Sequence, residues 1–158
     1  MKILVISDSH GYIGKLQEVY EREVPDVLFH LGDSELNYGW LNSFFDVPIY
    51  CVRGNCDVDS QFEQYLVVEQ MKHRFFLTHG HRFGVKSGLN QLAQNARERG
   101  CDVALYGHTH LPFFEEINGV TIANPGSLEL PRQADRRRSY MVITEAADGE
   151  LHFEQKYL

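Results

Sequence analysis

"KILVISDSH", residues 2–10, passes from a short apolar run directly into Asp8, Ser9 and His10. The run has the length and β-branched content of a buried strand, so its polar cluster falls at the strand's carboxyl end. Four later stretches repeat the pattern: "DVLFHLGD" (26–33), "IYCVRGNCD" (49–57), "RFFLTHGH" (74–81) and "DVALYGHTH" (102–110). Each delivers Gly, Asp, Asn or His just past a strand.

Segments of helical period separate several of these runs. Ile13, Leu16, Val19 and Tyr20 share one face, as do Leu36, Trp40, Leu41 and Phe44, and then Leu89, Leu92, Ala93 and Ala96, with Gly100 as a stop signal. Strand, helix, strand is a β-α-β rhythm. After His110 it changes: "FFEEI" and "VTIAN" flank Asn118-Gly119, while "SYMVITEA" and "ELHFEQKYL" flank Asp148-Gly149, both favoured hairpin turns. The second half is therefore expected to add mostly antiparallel strands. An α/β fold results, with two layers of mixed β-sheet flanked by helices.

The 158 residues suit one domain, 1–158, with a properly buried core. A net charge of -7 argues against a broad basic surface for nucleic acid or an anionic membrane, so an anionic substrate must be drawn by something local, such as bound cations. The apolar run before Asp8 is too short for a signal-peptide core or a membrane span. Cys51, Cys56 and Cys101 are odd in number and lack C-x-x-C spacing, which points to a reducing cytosol.

The clusters together offer Asp8, His10, Asp33, Asn55, His79, His81, His108 and His110. At the carboxyl ends of neighbouring strands they would converge on one crevice. Side chains two apart in extended chain point the same way, so Asp8 with His10, and His108 with His110, can each chelate one centre or straddle two. The set exceeds a four-ligand structural zinc site and lacks its thiolates. Two cations ~3.5–4 Å apart, which can bind the attacking and leaving oxygens of a phosphoryl displacement, suit it better. Asp33 is the candidate for a carboxylate shared by both, and Asn55 would coordinate through its carbonyl oxygen.

"DSH", "GD", "GNCD", "HGH" and "GHTH", in this order, resemble the signature of the calcineurin-like metallophosphoesterases, and "NPGS" (124–127) extends the likeness. The small size and the cysteine in the third motif resemble the compact YfcE-type phosphodiesterases. The resemblance implies one metal on Asp8, His10, Asp33 and His110, a second on Asp33, Asn55, His79 and His108, and a metal-bridging hydroxide as the nucleophile. It implies the family's pair of β-sheets flanked by helices, manganese(II) as the preferred ion with zinc, iron or nickel as alternatives, a small-molecule phosphodiester substrate, and self-association into a homo-oligomer.

Many relatives carry histidine where Cys56 stands, implied there to steady the phosphate or protonate the leaving oxygen. A thiol of ordinary pKa, about 8.5, can donate a proton, but neighbouring cations favour the thiolate, which cannot. Cys56 is thus expected to be neither nucleophile nor primary ligand but a weakening of acid catalysis, favouring diesters over monoesters. Asp57 would orient the missing histidine in relatives. The resemblance assigns His79 to metal and leaves His81 behind the ligands or on the substrate side.

Arg132, Arg136, Arg137 and Arg138 form a basic cluster in the long irregular stretch 126–140. A charge run is ordinarily a solvated loop. The alternative is that Arg132 and Arg136 meet a substrate phosphate. His30 is expected as a hydrogen-bonded core residue, and His73, near the turn "EQMKHR", and His152 as structural or exposed. Two further functions compete with a diesterase. One is a non-catalytic binding scaffold, like the retromer subunit that shares the family's fold but not an intact site. The other is thiol redox chemistry at Cys56, which lacks a resolving cysteine.

Overall fold

The computed structural model describes residues 1–58 and 61–158. Lys2–Ile6 forms strand β1, Ile13–Glu23 helix α1, Val27–His30 β2, Tyr38–Phe44 α2 and Ile49–Cys51 β3. Tyr65–Gln70 and His73–Thr78 form β4 and β5, Asn90–Glu98 helix α3, Val103–Leu105 β6, Pro112–Ile117 β7, Val120–Pro125 β8, Ser139–Glu145 β9 and Leu151–Tyr157 β10. They build two five-stranded sheets, ordered β10-β9-β1-β2-β3 and β4-β5-β6-β8-β7. In the first, β1, β2 and β3 run parallel while β9 and β10 pair antiparallel beside β1. In the second, β5, β6 and β8 are parallel, and β4 and β7 are antiparallel edges.

The strands of the first four runs read as continuous apolar stretches because both faces are covered. Ile3, Val5, Phe29, Phe75, Leu77, Val103, Leu105, Met141 and Ile143 fill the space between the sheets. Phe29 meets Phe75 across that space, ring centres 5.5 Å apart. Leu4, Ile6 and Leu28 point the other way, onto Leu16 and Val19 of α1 and Leu41 of α2. Phe76 and Ala104 meet Leu92, Ala93 and Ala96 of α3 on the outside of the second sheet. Each such fully buried large side chain contributes ~1.5–3 kcal/mol, so the two-layer order follows from which residues of each strand face which layer.

Helix α3 stops where expected. Gly100, at φ +69°, lets its own N–H reach Arg97 O (2.9 Å) and Cys101 N–H reach Ala96 O (2.9 Å). Helix α2 is capped by Asn37, whose side chain accepts from Trp40 N–H at 2.9 Å. Its stripe is covered less fully than the periodicity predicts. Leu41 is buried, while Trp40 (55% exposed) and Phe44 (40%) pack at a tilt against each other at the surface, because this seven-residue helix offers only two turns.

Both dipeptide hairpins form, with Asn118-Gly119 joining β7 to β8 and Asp148-Gly149 lying between β9 and β10. The second half is less uniformly antiparallel than expected. Strand β8, held antiparallel to β7 by its turn, also slots parallel against β6. Strand β4 is an addition to the sequence reading. It pairs with β5 through Met71 and Lys72, both left-handed at φ +50° and +60° without the usual glycine or asparagine. No described helix is long and apolar enough to cross a membrane.

Candidate metal centre

The polar clusters that follow β1, β2, β3, β5 and β6 meet at one end of the two sheets. Reaching that point bends the backbone hard. Asp8 (φ +54°), His10 (+46°), Asp33 (+52°), His108 (+68°) and His110 (+59°) are all left-handed. Such a conformation costs ~1–2 kcal/mol at each non-glycine residue, and strain of this kind concentrates at functional sites.

Close-fitting glycines and one carboxylate hold the turns. A Cβ on Gly54 would lie 2.0 Å from Asp33 Oδ1, and one on Gly107 would lie 2.0 Å from Ser7 Oγ and 2.9 Å from Asp8 Oδ2. Asp57, buried, accepts backbone N–H groups from Asp33 (2.8 Å), Gly54 (2.7 Å) and Glu35 (2.7 Å), fastening the loop after β2 to the loop after β3. Cys56 N–H donates to Asp33 Oδ1 at 2.8 Å. On the Asp8 side, Ser7 Oγ (2.6 Å) and His108 N–H (3.1 Å) both donate to Oδ2.

These contacts leave the other atoms of the site turned inward with too few protons. His79 Nδ1–H donates to Leu31 O (2.7 Å), so in the neutral ring Nε2 is a bare lone pair. It faces Asn55 Oδ1 at 3.0 Å, Asp33 Oδ2 at 3.2 Å and Asp8 Oδ1 at 3.8 Å, all of them acceptors. His110 repeats the arrangement, with Nδ1–H on Leu130 O (2.6 Å) and Nε2 3.0 Å from Asp8 Oδ1. His10 Nε2 lies 3.9 Å from the same oxygen. Asp8 Oδ1 and His10 Nε2 are buried with no hydrogen-bond partner among the described residues. One proton satisfies one acceptor; a cation at this point satisfies several. Ligand atoms of Asp8, His10 and His110, and of Asp8, Asp33 and His79, lie mutually within 4.8 Å.

Electrostatics follow the same arrangement. Burial pushes the Asp8 carboxyl up, but His110 and His79 outweigh it and hold the group below its ordinary range. Asp33 is likewise depressed, with His79 and Cys56 N–H overcoming its burial. Burial disfavours the His79 cation, yet Asp33 and Asp8 raise it on balance. His108 is pushed down to about 4, by burial first and then by His79 and Lys86. Burial, Asp33 and Glu35 push the Cys56 thiol up to about 11.

The profile of the calcineurin-like phosphoesterase superfamily domain matches residues 1–148. The chain belongs to the calcineurin-like phosphoesterase superfamily. It is 38% identical over 154 residues to the probable metallophosphoesterase YsnB of Bacillus subtilis, covering 94% of this chain and 87% of that one. It is 34% identical over 160 residues to the phosphodiesterase YfcE of Escherichia coli, covering 84% and 82%. Among solved structures, a predicted phosphoesterase from Streptococcus pneumoniae superposes with a TM-score of 0.81 at 30% identity, covering 99% of this chain and 97% of that one. Zinc-complexed Vps29 of Entamoeba histolytica shares the fold, with a TM-score of 0.76 at 21% identity and 99% of both chains covered.

Within this calcineurin-like site, the sequence-selected residues fall into place unevenly. Asp8, His10, Asp33, Asn55, His79 and His110 converge as described. His108 packs its ring against His79, centres 5.0 Å apart, outside both three-residue ligand sets. Asp8 is common to both sets, whereas Asp33 enters one. His81 opens a 3-10 turn beside them, its ring 5.5 Å from His79 and 6.0 Å from His108, with a buried Nδ1 that no described residue bonds. Arg132 N–H donates to His110 O (3.1 Å), which puts the start of its loop next to the site. The Arg132 and Arg136 side chains are exposed, while Arg137 stacks on Tyr157 and Arg138 pairs with Glu129. His30, buried, shares a hydrogen bond with Ser9 Oγ (2.9 Å), as a core residue should.

Glu35, which no sequence motif marks, also joins the site, its Oε2 3.7 Å from His10 Nδ1. The two-residue period of extended chain does not apply here, because Asp8, His10, Asp33 and Glu35 are all left-handed (φ +54°, +46°, +52° and +55°) and these turns bring them together. Ser7 and the carbonyls of Leu31 and Leu130 are unmarked as well, and a backbone acceptor leaves no trace in residue type.

Proposed function

We propose that this chain is a divalent-metal-dependent phosphodiesterase acting on a small-molecule phosphodiester. In this reading Asp8, His10, Asp33 and His110 would hold one cation, and Asp33, Asn55, His79 and His108 a second. The observation that carries it is the inward-facing set of His79 Nε2, His110 Nε2 and Asp8 Oδ1, where, with both rings neutral, lone pairs outnumber protons and one cation satisfies all three.

Bound there, the cations would supply Lewis acidity and lower the pKa of a water to about 7. Manganese(II) is preferred; zinc, iron and nickel suit the same imidazole and carboxylate donors. The chain's own part is positioning. Leu31 O and Leu130 O fix the tautomers of His79 and His110 so that each presents Nε2. Asp57, with its oxygens on three backbone N–H groups, acts by holding the Asp33 and Asn55 loops rather than by moving a proton. His81, whose ring lies 5.5 Å from that of His79, and Arg132, whose N–H donates to His110 O, are the groups assigned to the substrate phosphate, with Arg136 further along the same loop. Cys56 stands where many relatives place histidine, so leaving groups that need little protonation are favoured. With a net charge of -7, attraction of the anionic substrate falls to the cations and these few groups. The reading takes residues 1–158 as one cytoplasmic domain, capable of self-association.

The test is hydrolysis of a diester such as bis(p-nitrophenyl) phosphate by metal-stripped protein, with and without added manganese. Turnover restored by manganese and abolished by chelator is expected, with monoesters slower. Absence of turnover with any first-row metal would favour the scaffold alternative on the same fold.

A further inference from the structure

At the mouth of the site three unlike ligand groups meet: His10, Glu35 and Cys56, each offering one ligand atom within 4.8 Å of the others. They come from the loops after β1, β2 and β3. Those loops are already fastened, because His10 N–H donates to Asp33 O (2.9 Å), Asp57 accepts from Glu35 N–H (2.7 Å) and Gly54 N–H (2.7 Å), and Asp33 Oδ1 accepts from Cys56 N–H (2.8 Å). Asn55 Nδ2 donates toward Cys56 Sγ at 3.5 Å, which restrains the sulfur. The trio is thus largely organised before any ion arrives.

Imidazole, carboxylate and thiolate together make a donor set for borderline and soft ions such as zinc and cadmium. Manganese(II), which prefers oxygen and nitrogen, gains little from the sulfur. We propose that Cys56, Glu35 and His10 form a third cation site, selective for zinc-class ions, which competes with the first site for His10. The competition, though not the site itself, rests on His10 being a first-site ligand. His10 has two nitrogens facing two places: Nε2 is 3.9 Å from Asp8 Oδ1, and Nδ1 is 3.7 Å from Glu35 Oε2. A neutral imidazole offers a single lone pair, so it serves one cation at a time. On binding, the thiol S–H breaks, its proton passes to solvent and the sulfur lone pair forms the bond to the ion, with no change of oxidation state.

Cadmium titration of the full chain tests this. One equivalent is expected to produce a sulfur-to-cadmium charge-transfer absorption, absent in Cys56→Ser and weakened at least tenfold in apparent affinity in Glu35→Gln. In manganese-loaded protein, cadmium is expected to release one manganese, read by electron paramagnetic resonance, and to inhibit diester hydrolysis. Half-inhibition should need at least tenfold more cadmium in Cys56→Ser, relative to that variant's own uninhibited rate. Persistence of the absorption in Cys56→Ser would overturn the site. An absorption that depends on Cys56 without manganese release would overturn the competition. A Cys56-dependent absorption in a protein that hydrolyses no diester would uphold the site and overturn the diesterase reading instead.

Discussion

Asp8 is shaped by its neighbours as much as by its own chemistry. Ser7 Oγ and His108 N–H occupy Oδ2, which turns Oδ1 toward the three histidines, and Gly107 leaves just enough space for that pose. Gly107→Ala would set a methyl 2.0 Å from Ser7 Oγ. Overpacking of this sort costs ~1–3 kcal/mol, and here part of it must appear as rotation of Asp8. Manganese affinity should fall at least tenfold (roughly 1.4 kcal/mol) and the unfolding midpoint should drop, measured by metal titration and urea denaturation. Affinity unchanged beside a lowered midpoint would detach Asp8 from metal binding. The candidate ligands were legible because Asp, His and Asn after apolar runs are conspicuous. Glu35, Ser7 and the two anchoring carbonyls were not, since their roles come from where the folded backbone turns, and five left-handed residues cannot be read from side-chain type.

Among the elements, strands and helices were legible wherever period and punctuation agreed, as at Asn118-Gly119, Asp148-Gly149 and Gly100. The turn expected in "EQMKHR" forms at Met71-Lys72, but without glycine or asparagine it announced no hairpin, and β4 before it was not expected. Lys72, exposed and at φ +60°, bears the left-handed cost in a turn that has neither glycine nor asparagine. Lys72→Gly should stabilise the β4–β5 hairpin by about 0.5 kcal/mol, the relief of strain being partly offset by the greater entropy of an unfolded glycine. A shift of the urea midpoint in the opposite direction would show the turn to be unstrained. The loops after β2 and β3 form a different kind of element, built on one side chain. Asp57→Ala strips the acceptor from three backbone N–H groups, one of them on exposed Glu35, and should cost about 2–4 kcal/mol. Metal affinity should fall as well, because the Asp33 and Asn55 loops lose their tie. Calorimetric unfolding with and without manganese separates the two effects, and a variant whose manganese-induced stabilisation equals that of the parent would show that the tie is purely structural.

Across the whole molecule, the apolar runs announced two layers but not how they lock together, because a strand's sequence records its buried faces and not its partner. Strand β8 is one case, flanked by an antiparallel neighbour its turn predicts and a parallel one it does not. His73 is another. It opens β5 of one sheet, pairs with Asp102 before β6, and reaches Gly149 O (3.0 Å) in the turn between β9 and β10 of the other sheet. The hydrogen bond to Gly149 raises its pKa, and Asp102 adds to this against the opposing effect of burial. With the folded pKa above the unfolded value of about 6.5, the folded chain binds the proton more tightly. The resulting stabilisation is full below pH 6.5 and disappears as pH climbs through the folded value. For a partly exposed pair its size should be about 0.2–1 kcal/mol. His73→Ala should therefore be less stable than the parent at pH 5.5, with the gap narrowing by pH 8.5, as read from urea midpoints at the two pH values. A gap that stays constant would assign His73's contribution to packing between the sheets, and one that widens with pH would reverse the sign of the coupling.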